Sequence, residues 1–148
     1  MRTALVFLAA LAFALPLRAQ QLPVKGYGQE LVDRVMAKER GLLVVVMHAS
    51  PPNVANYPIV ASSFGRIGMK ADELVPGQPR AGAQSGGKRY EVELPLLDAN
   101  GGAVGALTVG WPLRKGDDGK AFGSQAEKIR DELRARIPSL EKLVELDP

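Results

Sequence analysis

Apolar residues along this chain switch between helical and strand spacing. From Gln29 to Arg40, Leu31, Val32, Val35 and Met36 fall on one side, and Glu30, Asp33, Arg34 and Lys38 on the other. This pattern predicts an amphipathic helix over 29–40, stopped by Gly41. Leu42 to Met47, LLVVVM, is continuous and rich in β-branched residues, so it reads as a strand covered on both faces. Ser50-Pro51-Pro52-Asn53 breaks that run, and Tyr57 to Ser62 reads as a second short strand. Pro58 lies near its start, where a missing N–H is tolerated. Six glycines and two prolines between Gly65 and Gly87 predict a long loop, holding at most a short helix at Lys70 to Leu74.

Strict alternation returns at Arg89 to Asp98. Tyr90, Val92, Leu94 and Leu96 share one face, and Glu91, Glu93 and Pro95 the other. Ala99-Asn100-Gly101-Gly102 predicts a hairpin turn, because Asn and Gly accept positive φ at little cost. The partner strand is Ala103 to Leu113, with Leu107, Val109, Trp111 and Leu113 on its larger face and Ala106, Thr108 and Gly110 on its smaller one. Trp111 is assigned to the core. Ser124 and Glu127 read as a capping box opening a helix whose stripe is Ala126, Ile129, Leu133 and Ile137. Pro138 interrupts it, and Ser139 caps a last short helix that turns Leu140, Leu143 and Val144 inward. The order of elements gives an α+β class, a mainly antiparallel sheet with N-terminal and C-terminal helices packed on it.

The first 19 residues have a different character. Arg2 precedes an uncharged apolar run, Ala4 to Leu15, and Pro16, Leu17 and Ala19 supply a helix break and small-residue cleavage site. That is the layout of a secretory signal peptide, and the run is shorter than a spanning helix needs. Residues 20–28 then read as a flexible leader and 29–148 as a single domain. The expected location is periplasmic or secreted, with no membrane span in the mature chain.

Composition narrows the chemistry. The chain has no cysteine, which removes disulfides, thiolate catalysis, Cys-ligated zinc and covalent haem attachment. The net charge of +3 includes Arg2 and Arg18; without them 17 basic residues face 16 acidic ones. Such a balance, with only 5% aromatic residues, points away from nucleic acid. No phosphate-cradling glycine loop, zinc-protease helix or nucleophile elbow occurs. Asp117-Asp118-Gly119 reads as a turn rather than a calcium loop. An enzyme is not expected, nor a resident cofactor or metal.

The one histidine, His48, ends the buried run. It reads first as a strand-terminal histidine satisfied by backbone, then as a ligand contact, and last as a haem ligand. Met47 cannot join it, because neighbouring strand residues face opposite ways. Arg66 and Lys70 flank Gly68 in a loop where an Arg fork suits a carboxylate, weighed against simply solvated charges. Glu91 and Glu93 read as a solvated sheet face rather than a catalytic pair. Ala106, Thr108 and Gly110 read as the bed of a packed helix rather than a pocket floor.

Ile59-Val60-Ala61-Ser62, Arg66-Ile67-Gly68, and Pro95-Leu96-Leu97-Asp98 followed by Gly101, Val104 and Gly105 resemble the motifs of extracytoplasmic Cache or PAS-like sensor domains. The resemblance spans about residues 29 to 137. It implies a five-stranded antiparallel sheet, a long N-terminal helix and a pocket for small metabolites. With no flanking spans or output domain in view, it favours a free-standing binding or accessory domain. The expected ligand residues are His48, Asn56, Tyr57, Arg66 and Lys70, and the expected ligand is a small carboxylate. Two other readings stand beside it: an exported haem-binding protein using His48, and a structural subunit docking on an envelope receptor or kinase.

Overall fold

The computed structural model describes residues 26–49, 58–70 and 79–147. The expected signal peptide, the leader up to residue 25, the break at Ser50 to Asn53, Asn56 and Tyr57 lie outside the described residues. Of the short helix expected at Lys70 to Leu74, only Lys70 is described, in a bridge to Pro58.

The elements are α1 (Tyr27–Lys38), β1 (Val44–Ala49), β2 (Ile59–Ser62), β3 (Arg80–Gln84), β4 (Arg89–Leu97), β5 (Ala103–Pro112), α2 (Gly119–Arg134) and α3 (Leu140–Leu143). The five strands form one antiparallel sheet in the order β2-β1-β5-β4-β3. The α+β class follows. Among the described residues no helix is long and apolar enough to cross a membrane.

All the helices serve one face of the sheet. Leu31 and Val32 of α1, and Ala126, Ile129 and Leu133 of α2, pack on Val45, Met47, Val92, Leu94, Leu107 and Val109. These positions recur at period two in each strand, so the opposite face is left to Val44, Val46, Glu91, Glu93 and Thr108. The bed expected for a helix at Ala106, Thr108 and Gly110 therefore lies on the wrong side. The bulky face of β5 takes the helices, because it has the larger apolar area to bury.

Helix α2 opens at Gly119, five residues before the expected capping box. Asp118 Oδ1 accepts from the Lys120 N–H at 2.9 Å and caps it. Phe122, in the first turn, stacks on Trp111 with centroids 5.1 Å apart and contacts Tyr90 at 5.3 Å. That aromatic contact holds the extra turn against the sheet. Ile137 is fully buried as expected, but it lies beyond the helix end. Helix α1 opens at Tyr27, inside the expected leader, where the Tyr27 N–H donates to the Glu145 carbonyl at 3.1 Å.

The loop predicted over Gly65 to Gly87 contains strand β3. Arg80-Ala-Gly-Ala-Gln has no β-branched or aromatic residue, so local propensity hides it. Pairing with β4, from Arg80 opposite Glu93 to Gln84 opposite Arg89, makes it a strand.

The β4–β5 turn matches its prediction. Asp98 Oδ1 accepts from the Asn100 and Gly102 N–H groups at 2.9 and 2.8 Å, and Gly101 has φ 86°. Gly101→Val is expected to cost about 1 kcal/mol or more, since a β-branched residue is strained at that φ. Chemical denaturation checks it.

Candidate functional site

The face without helices carries an open cleft of about 710 Å³. Register builds its floor. Val46, Thr108, Glu93 and Arg80 lie in one row across β1, β5, β4 and β3. Val44, Gly110, Glu91 and Gly82 form the next row. Val44, Val46 and Ile59 make a small buried cluster beneath Ile67. The loop after β2 supplies one wall, and it is stitched to that strand. The Ile59 N–H donates to Met69 at 2.9 Å, and the Gly68 N–H donates to Ile59 at 2.8 Å.

His48, Arg66 and Lys70 all line this cleft. The sequence thus placed three of its five candidates on one surface; Asn56 and Tyr57 fall outside the described residues. His48 is 8% exposed, yet its Nδ1 has no hydrogen-bond partner. The expectation of a backbone-satisfied histidine fails at that atom. Burial lowers its pKa from 6.5 to about 4, so the ring is neutral at physiological pH.

Arg66 has φ 63°, in the left-handed region that favours glycine. Its guanidinium lies over the Phe64 ring, 5.7 Å from the centroid. Neither Arg66 nor Lys70 forms an ion pair among the described residues.

Four further charged residues were not singled out as ligand contacts. Arg80 and Glu93 pair at 3.4 Å, and Arg89 Nε lies 2.7 Å from Glu91 Oε1. The second contact is an ion pair that is not aligned as a hydrogen bond, so Arg89 Nε is paired in charge but makes no hydrogen bond. Glu93 Oε1 makes no hydrogen bond either. Burial raises the Glu93 pKa, and the hydrogen bond and charge of Arg80 oppose that rise. Glu91 and Glu93 are thus half-buried ion-pair members, where a solvated face was expected. The alternation of β4 revealed which residues shared their face. It did not reveal that the helices would leave that face open.

His48 Nδ1, Arg89 Nε and Glu93 Oε1 are the buried side-chain polar atoms without a hydrogen bond among the described residues, Arg89 Nε being ion-paired with Glu91, and all three residues line this cleft. Buried polar atoms are normally satisfied by protein or water, so His48 Nδ1 and Glu93 Oε1 retain the capacity to hydrogen-bond a polar group entering the cleft. Two paired cations neutralise the two carboxylates, and Arg66 and Lys70 are left to attract an anion. Among the described residues, no three His, Cys, Asp or Glu side chains stand where they could hold a metal. No protein-family model matches the chain, and no curated protein resembles it closely enough to indicate kinship.

Proposed function

We propose that the protein is an exported PAS/Cache-like binding or sensory accessory domain that holds a small organic carboxylate in this cleft. The carrying observation is the buried His48 Nδ1, which has no hydrogen-bond partner, lining the same cleft as the cations Arg66 and Lys70. Arg66 supplies a planar fork for the carboxylate, and Lys70 adds a second positive charge. Neutral His48 offers either a donor or an acceptor to the ligand, according to its tautomer. The protein acts by binding rather than by catalysis, and the five-stranded sheet with its leading helix agrees with that family's layout.

Calorimetry with a panel of small carboxylates tests this reading. Arg66→Gly is the most informative variant, because glycine accepts φ 63° without strain. Its stability is expected to match or exceed the wild type by up to about 1 kcal/mol. Its carboxylate affinity is expected to fall by about 1.5 kcal/mol, roughly tenfold, the low end for an exposed charged hydrogen bond. A variant that binds every acid as the wild type does contradicts the assignment.

Haem held by His48 is the second reading. A neutral imidazole on the wall of a partly apolar cleft favours it. Haem titration separates the two: a Soret band lost in His48→Ala supports haem, and its absence leaves the carboxylate.

A further inference from the structure

Resting on the carboxylate reading, we infer that the ligand carries an apolar body, aliphatic or aromatic, behind its acid group. Four large hydrophobic side chains are exposed among the described residues, and three of them line this cleft: Leu43 at 50%, Phe64 at 49% and Met69 at 51%. A single exposed apolar residue is ordinary, but three gathered at one concavity are not. They adjoin Val44 and Val46 on the cleft floor, so apolar surface runs from rim to base on the β1 side, with the charged residues of β3 and β4 on the other.

Charge then orients the occupant. Arg66 and Lys70 stand on the same wall as Phe64 and Met69, and the Arg66 guanidinium caps the Phe64 ring. An amphiphilic acid satisfies both kinds of surface at once, with its carboxylate at the cations and its body along Leu43, Phe64 and Met69. The cleft volume, about 710 Å³, is in the range of sites for drug-sized ligands and is far more than a two-carbon acid fills. Met69, unbranched and polarizable, adapts to bodies of different shape.

Calorimetry across straight-chain carboxylates from acetate to decanoate, each below its micelle concentration, tests the inference. Affinity is expected to rise about twofold to fourfold per added methylene, as burial of each CH₂ requires. Phe64→Ala and Met69→Ala should flatten that slope; both side chains are half exposed, so their truncation spares the core. Arg66→Gly should lower the whole series by one common factor. Acids that bind with no dependence on length would overturn the apolar body and leave the carboxylate reading intact. A concentration-dependent dimer that buries Phe64 and Met69 and ignores chain length would also overturn it. Failure of every acid to bind would overturn both.

Discussion

Gly105→Ala is expected to destabilise the protein by about 3 kcal/mol, at the upper end for overpacking a core. Gly105 lies on β5 opposite Ala49 of β1 and Leu96 of β4. A Cβ built there would fall 1.8 Å from the His48 carbonyl oxygen, 2.9 Å from its carbon and 3.0 Å from Ala49 Cα. Those are backbone atoms, so no side chain can turn aside; β1 and β5 must separate and give up ladder hydrogen bonds. Gly110→Ala is the matched control on the same strand. Its Cβ would meet Val44 Cβ at 3.1 Å, relieved by a backbone adjustment of a few tenths of an ångström, and Glu91 Cγ at 3.2 Å, which can turn aside. It should cost about 1 kcal/mol. In thermal melts the first variant should fall by about 10 °C and the second by a few degrees. Equal losses would contradict the close approach at His48.

The second large effect is on acid stability, and it belongs to His48. Its folded pKa is about 4, lowered from 6.5 by burial. The unfolded chain therefore takes up a proton as pH falls through 6.5, while the folded protein refuses it until about pH 4. Stability is fully present above pH 6.5 and drains away between the two values. The loss approaches about 3 kcal/mol, at 1.36 kcal/mol per pH unit. Carboxylates titrate in the same range; Glu93, whose pKa is raised, contributes with the opposite sign. The comparison with His48→Gln removes that background. The stability difference between the two proteins should slope between pH 6.5 and 4 and stay flat above. Parallel curves would mean that His48 is solvated or charged in the folded state.

Much of the fold was legible because local pattern and tertiary demand agree. The alternation of Tyr90, Val92, Leu94 and Leu96 gave β4 and its core face, and Asn100-Gly101 gave the turn. Ser139 gave the cap of α3, where its Oγ accepts from the Lys142 N–H. Strand β3 was hidden because its Ala and Gly residues carry no propensity of their own. The turn signal Ser85-Gly86-Gly87 just before β4 was the clue to a hairpin there. The start of α2 was misread because two caps compete within six residues, and Asp118 gains from the stacking of Phe122 on Trp111.

The candidate site was legible as types of residue, and only partly as a place. His48, Arg66 and Lys70 stood out because a lone histidine at a strand end and cations around a glycine are unusual. Arg80 and Arg89 did not, and Glu91 and Glu93 read as a solvated face, because the role of all four depends on which sheet face the helices leave uncovered. That choice is made by the whole core, in which the bulky face of β5 outcompetes its face of Ala106, Thr108 and Gly110. The apolar residues Phe64 and Met69 gave no periodic signal at all.

The uncovered face of the sheet is proposed as the carboxylate site. Titrating isotope-labelled protein with the tightest acid of the panel, and following every backbone and Arg side-chain N–H by NMR, tests it most directly. Saturable shifts are expected at His48, Arg66, Lys70 and Thr108 and at the Arg89 Nε–H, with α1 and α2 unmoved. Shifts confined to the helices, or none with any acid, would contradict it.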